Sequence, residues 1–292
     1  MYIRKLFAQK RCVFSLEFFP PKQQLKWEPL QQTLRRVQQV HPDFISVTCS
    51  AGGSGVGQVS TSQVASFLKN ELDIEPLAHL TCVGADRAGI EATLDELFTA
   101  GVRNLMVLRG DKRPGVEQFR DFQHASDLCA FVRGHYGAFG LSGACYPEKH
   151  PESATLREDV EHLKIKQECG ATHLCTQMFF DNFYFYRYMT LIRKEGIDLP
   201  VSAGVMPIVR KSQIERTLAL SDAKLPPKFQ SLLDRWQDDP DGLYQAGIDY
   251  AVEQLRDLIE AGADGVHLYA MNSADVVLRI YEGIKDLLPD AL

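Results

Sequence analysis

Eight short runs rich in apolar, aromatic and β-branched residues recur along the chain at a nearly constant spacing. The runs are residues 13–20, 43–50, 76–83, 104–111, 141–148, 173–180, 200–208 and 265–272. Six of the seven steps between corresponding positions of successive runs measure 27 to 37 residues, the length of one strand and one helix. This repetition predicts parallel strands joined by helical crossovers.

Helical periodicity fills the intervals between the runs. Gly101 and Gly170 follow two of these helical segments, at positions where glycine adopts a left-handed cap with little strain. Eight repeats without a linker predict an α/β fold, a closed (β/α)8 TIM barrel forming a single domain over residues 1–292, rather than an open doubly wound sheet. The long seventh step predicts a helical insertion at about residues 222–242, before the last strand.

The composition restricts the class of partner. The 292 residues carry a net charge of −6 and no long basic run, which argues against binding of duplex nucleic acid. No apolar stretch suits a signal peptide or a membrane span, and the seven cysteines form no C-x-x-C pair. We therefore expect a cytoplasmic protein in a reducing compartment, without structural zinc or membrane association, that acts on small molecules.

Polar residues at the carboxyl ends of the strands are the candidates for function, because barrel active sites are built there. They are Glu17, Thr48, His79, Arg109, Asp111, Tyr146, His150 and Gln177. Glu17 is flanked by Leu16, Phe18 and Phe19, so we expect apolar surroundings to raise its pKa towards that of a general acid. The alternative is that Glu17 faces outward in a solvated ion pair.

The strand-end sequence Arg109-Gly110-Asp111 places opposite charges two residues apart, on the same side of a strand. This arrangement suits either a cofactor clamp or a buried structural ion pair. The glycine between them would allow another group to approach the backbone closely.

A further group of polar residues joins the fifth loop to the helix that follows it. Asp159, His162 and Lys166 recur at steps of three and four and so share one helical face. By themselves they indicate a solvated charged face, but Tyr146 and His150 in the preceding loop favour a ligand-facing cluster.

Gln177 is an amide in an otherwise apolar strand, and its donors and acceptor need partners. A ligand with a ring amide would satisfy them, as would a neighbouring strand end or water. Gln213 gives a weaker signal of the same kind. The glycine-rich segment 51–58 matches no nucleotide-binding motif, and the first strand lacks the His-x-His of barrel metallohydrolases, so we predict a loop and no catalytic metal.

Taken in order, the strand-end motifs resemble those of the methylenetetrahydrofolate reductase family over nearly the whole chain. The motifs are LEFFPPK, SVTCSAGG, AHLTC, LRGD, YPEKHPES, LKIKQECGA, TQMFFD, GVMPI and LYAMN. The resemblance implies a flavoprotein barrel that reduces 5,10-methylenetetrahydrofolate to 5-methyltetrahydrofolate with NADH or NADPH. It also implies FAD rather than FMN, a ping-pong hydride relay, a homo-oligomer, and a place in one-carbon metabolism and methionine biosynthesis.

The resemblance assigns roles to particular residues. Glu17 corresponds to the general acid and Asp111 to the carboxylate beside flavin and pterin. Gln177 corresponds to an amide shared by folate and nicotinamide, and Gln213 to a folate contact. The implied flavin-binding positions are Thr48, His79, Arg109, Gly110, Asp111, Ala125, Tyr146, His150, Asp159, His162 and Lys166. The alternatives are a pterin-binding barrel methyltransferase, which needs no flavin, and a non-catalytic barrel subunit of a larger assembly.

Overall fold

Eight parallel strands form a closed barrel in which each strand pairs with its neighbours in the chain and β8 pairs with β1. A computed structural model describes residues 1–49, 58–111, 121–220, 224–236 and 238–288. The strands are β1 Val13–Phe18, β2 Phe44–Val47, β3 Pro76–Thr81, β4 Asn104–Leu108, β5 Gly140–Cys145, β6 Ala171–Thr176, β7 Val201–Val205 and β8 Gly265–Tyr269. The predicted TIM barrel is confirmed.

Each strand begins within two residues of the predicted run but ends two to four residues earlier. The reason is local backbone chemistry. Pro20 and Pro21 have no N–H to pair, and Gly110, Met271 and Asn272 have positive φ angles that turn the chain out of the ladder. These strand tails form the loops that carry most of the candidate functional residues.

The helices surround the barrel. They are α1 Ile3–Gln9, α2 Trp27–Val37, α3 Thr61–Glu71, α4 Arg87–Thr99, α5 Ala125–His135, α6 Leu156–Glu168, α7 Asn182–Lys194, α8 Lys211–Leu220, α9 Pro227–Trp236, α10 Pro240–Glu260 and α11 Ala274–Glu282. Ser60 and Thr155 cap the N-termini of α3 and α6, and Gly101 and Gly170 have φ of +81° and +107° after α4 and α6. None of the helices in the described ranges is long and apolar enough to cross a bilayer.

The predicted insertion is confirmed as helix α9, between α8 and α10; residues 222–223 and 237 of the predicted segment lie outside the described residues. Phe229 of α9 stacks on Phe180 at 4.8 Å and contacts the Tyr250 ring at 4.7 Å. The Tyr250 hydroxyl donates to the Phe180 carbonyl at 2.6 Å. The insertion is therefore attached to the loop that follows β6.

Helix α1, which the sequence did not lead us to predict, closes the amino-terminal end of the barrel. Ile3 and Leu6 are buried in the same apolar cluster as Phe44, and Phe7 stacks on the His173 ring at 4.9 Å. The Ile3 amide also donates to the Asn104 side chain at 2.9 Å. This end of the barrel is apolar and filled, so the accessible polar groups lie at the opposite end.

Candidate active site

A layer of polar side chains lines the inside of the barrel. We call it the polar layer, and its members are Ser15, Glu17, Ser46, His79, Ser142, His173, Ser202 and His267. They share the inward-facing positions of their strands, where successive residues alternate between the two faces. The outward neighbours Leu16 and Phe18 instead pack in the same apolar cluster as Leu30 and Leu34 of α2. Glu17 thus faces the barrel axis and not bulk solvent.

Glu17 lies among groups that stabilise its ionised form. Its Oε2 accepts a hydrogen bond from Ser46 Oγ at 3.4 Å and lies 3.5 Å from His79 Nε2 and 3.7 Å from His267 Nε2. Its side chain is 20% exposed. Burial alone raises the pKa of Glu17, but His267, His79 and Ser46 together hold that pKa below its ordinary value.

The predicted direction of the Glu17 pKa was therefore wrong. Leu16, Phe18 and Phe19 flank Glu17 in the sequence, but Leu16 and Phe18 lie on the other face of β1 and do not surround the carboxylate. The side chains that do surround it come from β2, β3 and β8. Neither His267 nor Ser46 was among the candidate residues, although inward alternation along each strand would have selected both.

A serine hydroxyl lies within hydrogen-bonding distance of each of the two histidines beside Glu17. Ser46 Oγ lies 2.6 Å from His79 Nε2, and Ser15 Oγ lies 2.8 Å from His267 Nδ1. His267 Nε2, which points towards Glu17, has no hydrogen-bond partner among the described residues. Burial lowers the pKa of His79. Glu17 and two imidazoles thus form a compact group between which protons can be exchanged.

The second cluster lies where the loop after β5 meets α6. The Tyr146 ring packs edge-on against His150 at 4.7 Å, and the Lys166 ammonium lies 5.9 Å from the Tyr146 ring centroid. Lys166 donates to the Ala144 carbonyl at 2.8 Å, and the His150 amide donates to Asp159 at 3.3 Å. Tyr146, His150, Asp159 and Lys166 thus contact one another, and whether they face a ligand stays a prediction.

Electrostatics distinguish the members of this second cluster. Burial lowers the pKa of Lys166 and raises that of Asp159, and in each case the charge of the other residue opposes the shift. Burial also lowers the pKa of His150. His162, one turn along α6 from Asp159, is exposed.

Arg109 forms its ion pair with a residue that was not predicted. Its guanidinium makes two hydrogen bonds to the Glu152 carboxylate, at 2.6 and 2.8 Å, and this contact raises the pKa of Arg109. β4 ends at Leu108 and Gly110 has a φ of +84°, so strand alternation does not extend to Asp111, which is exposed. A Cβ at Gly110 would lie 2.9 Å from a Val83 methyl group, so glycine is required there.

The two candidate glutamines differ in how their amides are used. Gln177 Oε1 accepts from the Met178 amide at 3.0 Å, whereas its Nε2 makes no hydrogen bond within the described ranges. Gln213 Oε1 accepts from the Val209 amide at 2.9 Å, and its Nε2 donates to the Pro207 carbonyl at 3.4 Å. Gln177 therefore has a donor to offer a ligand, while Gln213 stabilises the loop after β7.

The remaining candidates lie at the same end of the barrel. Thr48 follows β2, and its carbonyl accepts from the Thr61 hydroxyl at 2.9 Å. Ala125 is the half-buried first residue of α5. Residues 51–57 of the glycine-rich segment lie outside the described residues. In the described part of the chain, no group of three or more His, Cys, Asp or Glu side chains is placed to hold a metal ion.

Solved structures with the same fold are distant in sequence. A Clostridium thermocellum protein, described as binding two copies of 5-methyl-5,6,7,8-tetrahydrofolic acid, superposes with a TM-score of 0.65 at 12% identity, covering 98% of this chain and 99% of that one. Tryptophan synthase from M. tuberculosis superposes with a TM-score of 0.56 at 12% identity, covering 96% of each chain. Both establish the similarity of fold.

Sequence comparison is more specific. The chain is 32% identical over 279 residues to methylenetetrahydrofolate reductase 1 of Schizosaccharomyces pombe, covering 94% of this chain and 46% of that protein. It is 28% identical over 273 residues to the Escherichia coli 5,10-methylenetetrahydrofolate reductase, covering 94% and 90%. The chain spans about half the length of its fungal, plant and nematode relatives. The model of the family described as methylenetetrahydrofolate reductase matches residues 2–285, and the chain belongs to this family.

Proposed function

We propose that this chain catalyses the flavin-dependent reduction of 5,10-methylenetetrahydrofolate to 5-methyltetrahydrofolate, with NADH or NADPH as reductant, by a ping-pong scheme. The observation that carries the proposal is the position of Glu17, held by two histidines and a serine at the open end of a closed barrel. Relatives carry names that specify NADH or NADPH, so both nucleotides are candidates for the reductant.

The second cluster suits a flavin dinucleotide. Lys166 and Arg109 supply cations for a diphosphate, which favours FAD over FMN, and Tyr146 supplies an aromatic face. The proposed flavin contacts are Thr48, His79, Arg109, Gly110, Asp111, Ala125, Tyr146, His150, Asp159, His162 and Lys166. Flavin bound there supplies hydride transfer from nicotinamide to folate.

Polar groups around the barrel mouth orient the substrate. The Nε2 of Gln177, which has no hydrogen-bond acceptor among the described residues, can donate to a ring carbonyl of folate or to the carboxamide of nicotinamide. Asp111 is exposed and provides a carboxylate for the pterin ring. The Gln213 amide is engaged with Val209 and Pro207, so a folate contact there uses its remaining hydrogen-bonding capacity or requires an exchange of partners.

Glu17 provides the proton that the reaction needs. Opening the methylene bridge requires a proton on the departing amine, and Glu17 is the carboxyl group inside the barrel mouth that we assign to deliver it. The neighbouring histidines keep its pKa low in the free protein. Burial is already the largest single influence on that pKa, so a pterin that excludes water from the mouth shifts Glu17 towards the neutral acid.

A single purification tests the proposal. The protein should carry a flavin that mass spectrometry identifies as FAD after denaturation, and NADH or NADPH should bleach its visible absorption under anaerobic conditions. Addition of 5,10-methylenetetrahydrofolate should then restore the oxidised spectrum. A colourless protein that binds folate would support a methyltransferase instead, and a protein that binds neither ligand would support a non-catalytic subunit.

We further propose that the chain acts as a single catalytic domain, in the cytoplasm, and as a homo-oligomer. Cys12, Cys82, Cys129, Cys145, Cys169 and Cys175 form no disulfide, which suits a reducing compartment. Light scattering of the purified protein measures the number of copies, and a monomeric mass at micromolar concentration would contradict the oligomer.

A further inference from the structure

Two consecutive non-glycine residues after β8 adopt the left-handed conformation. Met271 has a φ of +48° and Asn272 a φ of +55°. Asparagine tolerates this region better than most residues, but two such residues in succession require other contacts to hold them. The turn leads directly into α11, whose N-cap is Ser273.

The side-chain amide of Asn272 makes two hydrogen bonds, both to the main chain of Phe19, the residue that follows β1. Its Oδ1 accepts from the Phe19 amide at 2.9 Å, and its Nδ2 donates to the Phe19 carbonyl at 2.8 Å. Asn272 thus replaces the backbone of a neighbouring strand. The β1–β8 ladder, whose last backbone bond runs from the Ala270 amide to the Glu17 carbonyl at 3.2 Å, is extended by two residues.

Among the described residues, the main chain of Phe19 makes no hydrogen bond other than the two to Asn272. It is followed by Pro20 and Pro21, which have no amide hydrogen, and its ring is 40% exposed at the open end of the barrel. Glu17 lies two residues earlier on the same strand. The Asn272 clamp therefore sets the direction in which β1 ends, directly beside the proton donor.

We propose that Asn272 is a positioning residue that holds the end of β1, so that the Glu17 carboxyl and the Phe19 ring meet the bound pterin in a fixed geometry. This inference rests on the proposed function. Small displacements of a reacting group reduce rate steeply, so loss of the clamp should affect the step that uses Glu17. Reduction of the flavin by the nicotinamide nucleotide does not use Glu17 and should be insensitive.

The test compares Asn272→Gly, Asn272→Asp and the control Asp275→Ala. Glycine keeps the left-handed backbone without strain but removes both hydrogen bonds, whereas aspartate keeps the acceptor and loses the donor. Asp275 forms an exposed ion pair with Arg36, so its variant removes another link between the segments that follow β1 and β8. The unfolding midpoint of each variant reports whether the turn has been retained.

Hydrogen exchange at the Phe19 amide measures the clamp independently of any cofactor. In Asn272→Gly this exchange should accelerate about tenfold or more, because the amide loses its acceptor. Flavin reoxidation by 5,10-methylenetetrahydrofolate should slow about tenfold in stopped flow, with reduction by NADH within about twofold of the parent. Asn272→Asp should give exchange and reoxidation rates between those of the parent and those of Asn272→Gly. Asp275→Ala should match the parent in both.

Unchanged exchange at Phe19 would overturn the clamp, and faster exchange with reoxidation at the parental rate would overturn the positioning role. Equal slowing of both half-reactions would also overturn it, because it would indicate a general loss of structure. If the parent itself fails to reduce flavin with NADH or NADPH, the proposed function fails and the positioning role fails with it, whereas the exchange result still decides whether the clamp exists.

Discussion

The polar layer and the second cluster, where the loop after β5 meets α6, both contain buried ionisable groups. The two regions differ in the kind of group that surrounds each charge. Around Glu17 the neighbours are imidazoles and hydroxyls, which can gain, lose or pass on a proton. Around Lys166 and Arg109 the hydrogen-bond acceptors are a backbone carbonyl and a carboxylate, which oppose loss of the positive charges. The first region is suited to moving protons and the second to holding an anionic group in place.

The difference shows that burial alone does not set the direction in which the pKa of a carboxyl group shifts. Asp159 and Glu17 are both largely buried, yet burial determines the direction of the shift only for Asp159, whose pKa is raised. For Glu17 the neighbours outweigh burial, and the pKa falls. Three experiments separate the two regions.

The largest expected effect follows Glu17→Gln. Without an acid at this position, flavin reoxidation by 5,10-methylenetetrahydrofolate should slow by roughly 10² to 10⁴ or more. Reduction of the flavin by NADH or NADPH should be unchanged, since glutamine keeps the shape of the site. Stopped-flow absorbance measures both half-reactions. Equal slowing of the two would remove the proposed division between proton transfer and cofactor binding.

The second prediction concerns the pH dependence of stability. Burial lowers the pKa of His173 from the ordinary 6.5 to about 3. Between these two pH values, His173 binds a proton in the unfolded chain but not in the folded chain. The free energy of unfolding should therefore fall as the pH drops below 6.5. His173 should account for a loss of about 3 kcal/mol at pH 4.5. Urea unfolding at several pH values measures the slope.

His173→Asn should flatten that slope, while the exposed control His41→Asn should leave it unchanged. Both ring nitrogens of His173 are bonded to serines, at 2.9 and 3.0 Å, so the variant will also be less stable at neutral pH. The slope, and not the absolute free energy of unfolding, is the diagnostic quantity. An unaltered slope would show that the acid sensitivity lies elsewhere.

The smallest effect is expected from Lys166→Met. Loss of a charged donor at the proposed diphosphate site should weaken FAD binding about 10- to 100-fold. Lys164→Met is the matched control, because Lys164 lies on the same helix and pairs with Glu195 at 2.7 Å on the surface. Titration of the apoprotein with FAD gives both affinities. Equal affinities in the two variants would place the diphosphate elsewhere.

The spacing of the apolar runs was sufficient to predict the barrel, because alternation of strands and helices is encoded locally. The surroundings of Glu17 were not predictable from its flanks, since Ser46, His79 and His267 reach it through strand pairing between distant segments. Register had to be known before these side chains could be brought together. The same limit explains why Glu152 was missed as the partner of Arg109.

Helix α1 was missed for a different reason. It has seven residues, of which only Ile3 and Leu6 are buried, so its sequence lacks the repeated apolar face of a longer helix. Its stability comes from packing against the end of a barrel that forms from the rest of the chain. By contrast, the longer α6 was predicted from its helical periodicity and from Gly170 just beyond its end.

The closure of one end of the barrel by α1 has a consequence for turnover. With Phe7 stacked on His173 at the closed end, the proposed ligand site lies at the opposite, open end of the barrel. A pterin bound at the proposed site would separate Glu17 and its two imidazoles from solvent. Because the pKa of Glu17 is held low in the free protein, the proton that Glu17 delivers would be taken up as the pterin binds. Solvent isotope effects should therefore appear in the step in which 5,10-methylenetetrahydrofolate binds.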